Sequence, residues 1–186
     1  MRVVISPPTE ADEEAFTDAM RRSRRLHGRW AGGPVTPEEY AVYLAKAAEP
    51  RRAYFLARLR DGGDIVGYLN LGEFIRGSLD QAFLGYAGVA GHEGRGLMSE
   101  AMQLVLREAF GPLRLHRVEA NIQPGNLPSI ALARRNGFRL EGFSPRYLKI
   151  NGRWRDHERW AINAEQWRLH RRRVREGTGR LASGGR

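Results

Sequence analysis

The sequence predicts a mixed α/β fold in which one sheet of about seven strands carries helices on both faces. Segments with strand-like alternation and segments with helical spacing of apolar residues follow one another along the chain. Two short turns, Asp61-Gly62-Gly63-Asp64 and Asn151-Gly152, join consecutive strand patterns and therefore indicate hairpins. With 186 residues, of which 41% are hydrophobic, the chain has the size and the apolar content of one packed domain.

The first third of the chain predicts one strand followed by two helices. Residues 3–6 form the strand, and residues 10–27 form the first helix. The second helix begins after Thr36, which caps its first turn. Pro37 follows and suits the first position of a helix. Glu39 lies three residues after the cap and completes a capping box.

The middle of the chain predicts four strands, with one long helix before the last of them. Residues 52–60 and 65–73 form the first hairpin, and residues 81–87 form the next strand. A glycine-rich loop then leads into a helix that continues to Phe110. Residues 116–122 form the fourth of these strands.

The last third predicts a short helix, a hairpin and a terminal helix. Residues 129–136 form the short helix, which ends at Gly137. Residues 139–150 and 153–163 form the second hairpin, whose Asn-Gly turn is typical of a two-residue connection. Ala164 begins the terminal helix.

The charge of the chain is strongly positive, and it is unevenly distributed. The net charge of +10 predicts attraction to polyanions such as nucleic acid, ribosomes or a phosphorylated cofactor. Arginines cluster at residues 21–25 and again at 168–175, where a solvated face is the alternative to a binding site. We expect residues 1–167 to form the domain and residues 168–186 to form a basic, disordered tail.

The composition excludes several classes of function. There are no cysteines, which excludes disulfides, thiolate metal sites and an acyl-cysteine intermediate, and we predict no metal site. No apolar run approaches the roughly 18 residues that cross a bilayer. The first residues do not resemble a signal peptide, so we expect a cytoplasmic protein without membrane association.

The glycine-rich segment of residues 88–96 is the strongest local signal for a ligand. Glycines let the backbone approach a ligand closely, and a helix N-terminus offers unpaired N–H groups to an anion. The residues that follow, Leu97 and Met98, do not match a Walker loop, and the spacing does not match a dinucleotide fingerprint. Taken alone, the segment leaves both a phosphate site and a structural turn open.

Two separated motifs extend this signal to a family. Residues 94–101, Gly-Arg-Gly-Leu-Met-Ser-Glu-Ala, resemble the acetyl-CoA loop of the GNAT acetyltransferases. Residues 126–138, which end in Gly-Phe, resemble the second cofactor motif of that family. The strands around these motifs and the final hairpin are similar to the RimJ/RimL branch, RimJ above all, over about residues 65–162. The resemblance implies the GNAT fold, a mixed and mostly antiparallel sheet.

The resemblance also implies acetyl-CoA as the cosubstrate. By this resemblance, the amides of residues 93–98 hold the pyrophosphate, and those of residues 87–89 face the thioester carbonyl. Asn126 binds the pantetheine arm or orders its loop. The residues that it assigns to cofactor binding are Ala87, Gly88, Val89, Glu93, Gly94, Arg95, Gly96, Leu97, Met98, Asn126 and Ser129.

Two residues are candidates for proton transfer. Ser129 is the hydroxyl assigned to the leaving sulfur, with a backbone-bonded helix residue as the alternative. Glu73 is the candidate base, with a solvated strand-end carboxylate as the alternative, and Asp156 and His157 are rivals that can instead order the final hairpin. Trp30 and Asn70 join Glu73 as candidate acceptor-binding residues.

The sequence also departs from the family pattern at three positions. Glu93 stands where the broad family has Gln or Arg, and a carboxylate near a pyrophosphate is unfavourable unless it points away. Ala133 replaces a tyrosine that serves as acid in many members. The position of the carboxylate proposed as base in RimL falls near Leu148, so that assignment does not transfer.

These observations predict an acetyl-CoA-dependent N-acetyltransferase. The resemblance favours the α-amine of a protein N-terminus, such as that of a ribosomal protein, as the acceptor. The positive charge of the surface would attract the protein to the phosphates of ribosomal RNA. A small-molecule amine or antibiotic acetyltransferase and a catalytically idle CoA-binding module stay open, as does the choice between monomer and homodimer.

Overall fold

The computed structural model describes residues 1–30 and 32–183, and its sheet confirms the predicted architecture. The strands lie in the order β1-β2-β3-β4-β5-β7-β6, and every neighbouring pair is antiparallel except β4 and β5. The strands are β1 (Val3–Ser6), β2 (Ala53–Leu59), β3 (Ile65–Ile75), β4 (Gln81–Gly88), β5 (Arg117–Ile122), β6 (Arg139–Ile150) and β7 (Arg153–Asn163).

The first predicted helix is interrupted, which corrects the expectation of one helix over residues 10–27. A short 3-10 turn precedes α1 (Glu13–Arg22), and α2 (Arg24–His27) follows after a break at Ser23. The buried Ser23 hydroxyl donates to the Ala19 carbonyl at 2.7 Å and accepts from the Ala90 amide at 2.9 Å. A serine that bonds back to the preceding turn bends a helix, and here the bend also ties the helix to the end of the sheet.

The second predicted helix forms as α3 (Pro37–Ala47), but its capping box is only half formed. The Thr36 hydroxyl accepts from the Glu39 amide at 3.3 Å, as expected. The Glu39 carboxylate accepts from the Val35 amide at 2.7 Å, one residue before the cap. The remaining helices are α4 (Leu97–Phe110), α5 (Leu127–Arg135) and α6 (Ala164–Ser183).

Helices cover the two faces of the sheet with different chemistry. On the α4 face, aliphatic side chains of α4 and α5 pack on β3, β4 and β5. On the α1 face, Phe16 of α1 and Tyr40 and Tyr43 of α3 pack on Tyr54 and Tyr68 of β2 and β3. Alternate residues of each central strand are therefore committed to one face or the other.

The parallel pair in the centre of the sheet is short. β4 pairs with β5 only at Gln81, Ala82 and Phe83, and no pairing continues along the described part of β4 after Phe83. The two strands separate from that point, and this opening is called the β4–β5 gap below. The gap positions the candidate site, because it exposes strand backbone in the middle of the sheet.

The terminal helix continues past the predicted start of the tail. Ala164 and Trp167 are buried, and His170 and Arg171 are half-buried, so the packed positions recur at helical spacing. The boundary at residue 167 stays a prediction, and residues 184–186 of the expected tail lie outside the described residues. Across the part of the chain that the structure describes, no helix combines the length and the apolarity that a bilayer crossing requires.

Candidate functional site

A cavity of about 400 Å³ opens where the β4–β5 gap meets the loop before α4 and the start of α5. Most of the residues that the sequence assigned to a site line this cavity. They are Trp30, Ala87, Gly88, Val89, Glu93, Gly94, Gly96, Leu97, Met98, Asn126 and Ser129. Three assigned residues are absent from its described walls, namely Asn70, Glu73 and Arg95.

The loop before α4 presents a run of unpaired amides. Among the described residues, the N–H groups of residues 93–98 donate to no other group of the chain. Gly94 and Gly96 have φ values of 70° and 76°, a left-handed conformation that glycine adopts without strain. The run ends in the first turn of α4, whose dipole adds partial positive charge. Such an arrangement can hold an anionic group such as a diphosphate.

Glu93, the unexpected acid in this loop, is held by the loop itself. Its carboxylate accepts a hydrogen bond from the Gly91 amide at 2.6 Å. The backbone carbonyl of Arg95, two residues later, accepts a hydrogen bond from the Arg2 guanidinium at 2.8 Å. The acidic group of the loop is therefore turned toward a backbone donor upstream of the amide run.

Met98 lines the cavity because Gly67 leaves room for it. The Met98 side chain packs against the bare α-carbon of Gly67 on β3. A β-carbon at Gly67 would clash with the Met98 sulfur and would lie 2.6 Å from the Ala87 carbonyl oxygen. The bulky residue in the loop is thus accommodated by a glycine about thirty positions earlier in the chain.

The end of β4 offers backbone groups to the gap. The Val89 amide bonds to the Val66 carbonyl on β3 at 2.9 Å, so the alternation of an antiparallel pair turns the Gly88 amide the other way, toward the gap. His27 Nε2 donates to the Gly88 carbonyl at 2.8 Å. The break at Ser23 and the bond from His27 together fix α2 against this strand end.

Asn126 forms the N-cap of α5. Its side-chain oxygen accepts from the Ser129 amide at 3.3 Å, which orders the turn before the helix. Ser129 lies in the first turn and lines the cavity. Asn126 both orders its loop and lines the cavity, so its position is compatible with the two predicted roles, ordering the loop and contacting a ligand.

Tyr86 is a site residue that sequence reasoning missed. It lies on β4, lines the cavity, and is half-buried. The Ser129 hydroxyl donates to its phenol oxygen at 2.8 Å, and the phenol donates to the Ser129 carbonyl at 3.1 Å. Burial raises the pKa of Tyr86 to about 12, so the phenol stays protonated at neutral pH. In the sequence only its place in the strand before the glycine-rich loop pointed to it.

The loop after α2 reaches across the mouth of the cavity. The Trp30 ring carries the Arg29 guanidinium 4.6 Å from its centre, a cation–π contact. A β-carbon at Gly125, in the loop before α5, would lie 3.3 Å from the Trp30 ring. Trp30 therefore bridges the two sides of the cavity, and the next residue, Ala31, lies outside the described residues.

Glu73 and Asn70 lie on β3, away from the cavity walls. Glu73 has a φ of 52° in a bulge of β3, and its exposed carboxylate pairs with Arg52 at 2.5 Å. Asn70 accepts a hydrogen bond from the Tyr43 hydroxyl at 2.8 Å and pairs in register with Gly85. Asn70 is in register with the opened part of β4, on the face of the sheet that carries Tyr43. Glu73 lies past the Gly72–Phe83 pair, beside the part of β4 that still pairs with β5.

The rival bases of the final hairpin have structural partners. The Asp156 carboxylate accepts from the Arg146 amide at 2.8 Å, which orders β6 against β7. His157 is buried, and its Nδ1 donates to the Arg155 carbonyl at 3.0 Å. Burial lowers the pKa of His157 below its usual value of 6.5. Neither residue lines the described cavity.

Two further polar residues of β5 face the α1 side of the gap. The buried Glu119 is opposite Phe83 in the last parallel pair, and its carboxylate pairs with Arg117 at 2.8 Å. Within the described residues, the buried Asn121 side-chain oxygen has no hydrogen-bond partner. A β-carbon at Gly85 would meet nothing within 4 Å, so the sheet is open to solvent beside these groups.

The site therefore has two sides joined by the gap. The α4 side has a cavity lined by donors for an anion and by the Tyr86–Ser129 hydroxyl pair. The α1 side has carboxylates and an open strand surface at Gly85. An elongated anionic ligand on one side and an amine on the other can meet at the strand backbone between them.

Comparison with known proteins identifies the same architecture elsewhere. A family model described as an acetyltransferase (GNAT) domain matches residues 2–139. The probable N-acetyltransferase YjcK of Bacillus subtilis (strain 168) is 40% identical over 67% of this chain and 67% of that protein. The ribosomal protein uS5-alanine N-acetyltransferase of Escherichia coli (strain K12) is 37% identical over 58% of this chain and 55% of its own length.

A solved structure extends the match over nearly the whole chain. The structure described as Mycobacterium smegmatis RimJ in complex with CoA-disulfide superposes with a TM-score of 0.83 at 29% identity. The superposition covers 94% of this chain and 89% of that one. The shared architecture therefore extends past residue 139, where the family model ends.

Proposed function

The chain belongs to the GNAT acetyltransferase family, and from that premise we propose that it transfers the acetyl group of acetyl-CoA to the α-amine of a protein N-terminus. The family model and the relatives confirm the resemblance inferred from the sequence, and with it acetyl-CoA as the cosubstrate. Ribosomal proteins are the acceptors that we propose, because the E. coli relative is named for alanine of ribosomal protein uS5.

The amide run of residues 93–98 is the observation that carries the proposal. These donors lack partners within the described chain and lie at the start of α4, so a diphosphate would satisfy them. The cavity behind them leads to the β4–β5 gap, along the path that an extended pantetheine arm would take to reach it. The residues present therefore fit the cosubstrate that the family uses.

Strand backbone supplies the proposed stabilisation of charge. Bound acetyl-CoA supplies the thioester that the acceptor amine attacks. We assign the Gly88 amide, which faces the gap, as a donor to the carbonyl oxygen on which negative charge develops. A preorganised amide of this kind costs no rearrangement during the reaction, because the strand already holds its direction.

Ser129 and Tyr86 form the proposed route for the proton that the leaving sulfur takes up. We assign Ser129 as the donor to sulfur and Tyr86 as the residue that holds the serine hydroxyl. Tyr86 is neutral at neutral pH, and burial raises its pKa further above the ordinary value, to about 12. This pair stands in for the tyrosine that many family members have at the position of Ala133, which is buried and apolar here.

The acceptor approaches from the α1 side in this proposal. The open strand surface at Gly85 lies between Asn70 of β3 and the polar side chains of β5. We assign Glu73 as the base that takes the amine proton through water, since its carboxylate is exposed and lies on β3, the strand whose Asn70 is in register with Gly85. Glu119 is the second candidate, because its buried carboxylate lies at the apex of the gap.

The basic surface adds to the case for a ribosomal acceptor. Exposed arginines of α1 and α2 form a cationic patch, which would favour encounter with ribosomal RNA through long-range attraction. A small cationic amine would be repelled by the same charge, and the net charge of the chain is +10. The exposed arginines are Arg21, Arg22, Arg24 and Arg25.

Mass spectrometry of peptides incubated with the protein and acetyl-CoA tests the proposal. The peptides differ only in their first residue, and their common sequence contains an internal lysine. We expect acetylation of the α-amine with a preference for certain first residues, and no reaction when that amine is already blocked. The Ser129→Ala variant, assayed in parallel, should react more slowly at the same acetyl-CoA affinity.

The other outcomes separate the alternative functions. Binding of acetyl-CoA without modification of any peptide, but with acetylation of a small amine, would favour a small-molecule acetyltransferase. Binding without any transfer would favour an idle CoA-binding module. Failure to bind acetyl-CoA would overturn the proposal altogether.

A further inference from the structure

A second cavity, of about 450 Å³, lies along α4 beyond the first one. Ser99, Gln103 and Arg107 form its α4 wall, and their spacing puts them on one face of the helix. Arg135 at the end of α5 and residues of α6 close the other sides. Ser99 and Arg135 also line the first cavity, so the two cavities adjoin.

The second cavity is cationic. Arg107, Arg135 and Arg171 line it together with His170, and none of its described walls is an acidic residue. In the part of the chain that the structure describes, none of the three guanidinium groups pairs with a carboxylate. Like charges converging without counter-ions repel one another, and an anion between them removes that repulsion.

The floor of this cavity is a fixed polar network. The buried Asn136 side chain accepts from Ser99 Oγ at 3.2 Å and from Gln103 Nε2 at 2.9 Å. Trp167 Nε1 of α6 donates to Gln103 Oε1 at 3.1 Å. Arg171 stacks 4.6 Å from the centre of the Trp167 ring. The network joins α4, α5 and α6, and it holds Arg171 in place on a packed helix face.

We propose that the second cavity binds the 3′-phosphate of acetyl-CoA, with Arg107, Arg135 and Arg171 as its ligands. This inference rests on the proposed function, since it takes the first cavity as the site of the thioester and the diphosphate. Acetyl-CoA carries a phosphate monoester on its ribose, beyond the diphosphate. The amide run ends at Met98, and the second cavity begins at Ser99, the next residue of α4. A ligand that passes the helix N-terminus therefore reaches the second cavity at Ser99 and Arg135, the two residues that line both cavities.

Guanidinium groups are suited to this ligand. A phosphate monoester carries up to two negative charges and three acceptor oxygens, and arginine binds such groups through paired N–H donors. The adjoining cavities would thus recognise the cosubstrate at two separate anionic points. The terminal helix α6, which supplies Arg171, acquires a binding role in addition to its packing role.

Calorimetric titration with acetyl-CoA and with 3′-dephospho-acetyl-CoA tests the inference. We expect the wild-type protein to bind acetyl-CoA roughly tenfold or more tightly than the dephospho form, the size of effect that a hydrogen-bonded charge gives. The variants Arg107→Gln and Arg171→Gln should lose most of that difference, and they should bind the dephospho form as the wild type does. Arg172→Gln is the matched control, because Arg172 is an exposed neighbour on α6 outside the cavity walls.

Four results would overturn the inference. Equal affinity of the wild type for both ligands would show that the 3′-phosphate is not recognised, although acetyl transfer would still stand. Equal weakening of both ligands by Arg171→Gln, or the same loss in Arg172→Gln, would indicate only a general effect of charge. Competition of an RNA oligomer with acetyl-CoA that Arg107→Gln abolishes would assign the cavity to nucleic acid instead. Absence of binding to either ligand would overturn the proposed function itself.

Discussion

The Ser129 hydroxyl donates a hydrogen bond to the phenol oxygen of Tyr86 at 2.8 Å, and Tyr86 returns one to the Ser129 carbonyl at 3.1 Å. The single serine proton is therefore engaged by the tyrosine in this arrangement. Hydroxyl hydrogens rotate freely, so Tyr86 can instead donate to the Ser129 hydroxyl, which releases the serine proton toward the cavity without movement of heavier atoms. We therefore expect the two hydroxyl groups to act together in the proposed proton transfer.

Removal of either hydroxyl should slow the reaction. We expect Tyr86→Phe to lower kcat about tenfold or more, in the range of a lost proton-transfer group, and to leave the KM for acetyl-CoA unchanged. Because the pair acts as a unit, Ser129→Ala should cost about the same, and the double variant should lose no more than either single one. Steady-state kinetics of the three variants measures this.

Tyr40→Phe is a suitable control for that cycle. The Tyr40 hydroxyl donates to the Thr9 carbonyl at 2.8 Å, outside the described cavity walls, so its loss should leave kcat unchanged. If the kcat losses of the two single variants add up in the Tyr86 and Ser129 double variant, the expectation that the two hydroxyls act together is wrong. Such a result would indicate two independent roles.

Glu73 and Glu119 can be separated as bases by paired substitution. We expect Glu73→Gln to lower kcat/KM for the acceptor by up to about a hundredfold at neutral pH, since glutamine keeps the shape and cannot take a proton. Glu119→Gln should retain activity, with a lower melting temperature from the lost pair with Arg117. If instead Glu119→Gln loses activity and Glu73→Gln retains it, the base is Glu119. Acetyl-CoA binding should be unchanged in the Glu73 variant.

Gly67→Ala should destabilise the protein. Its β-carbon would lie 2.6 Å from the Ala87 carbonyl oxygen and would displace Met98, so β3 and β4 must shift apart. Overpacking of this kind costs about 1–3 kcal/mol, which urea unfolding can measure. Gly85→Ala is the matched control on the neighbouring strand, because its β-carbon meets nothing within 4 Å. Equal stability of the two variants would contradict the close approach at Gly67.

Stability should depend on pH through His157. Burial lowers the pKa of its imidazole in the folded state below the usual 6.5, so the unfolded chain binds this proton more readily. The free energy of unfolding should therefore fall as the pH drops below about 6.5 and should be unaffected by this group above it. His157→Gln should flatten that part of the profile, which urea unfolding at a series of pH values measures.

The sequence predicted those parts of the molecule that local patterns determine. The Asn151-Gly152 turn has φ values above zero at both positions, which is the conformation that this dipeptide favours, and it joins β6 and β7 as expected. The glycines at 94 and 96 likewise adopt left-handed conformations before α4. Each of these predictions depends on a few neighbouring residues.

Contacts between distant residues escaped prediction. The Tyr86–Ser129 bond joins residues 43 positions apart, and the break at Ser23 depends on a bond to Ala90, 67 positions away. In the sequence Ser23 lies in an uninterrupted helical pattern. The sequence also did not show that Glu73 lies outside the described cavity walls, because it places this residue at the end of a strand but not relative to the cavity.

The β4–β5 gap has a consequence for how this enzyme can vary. The Gly88 amide and the amides of residues 93–98 belong to the main chain, so a substitution changes a side chain around them but leaves the donors present, unless it introduces proline. Substitutions can therefore alter the proposed acceptor surface around Gly85 and the serine–tyrosine pair, while the amides proposed to bind the cosubstrate remain. If the proposed function holds, single substitutions can change the acceptor preference of this site without removing the amides that bind the cosubstrate.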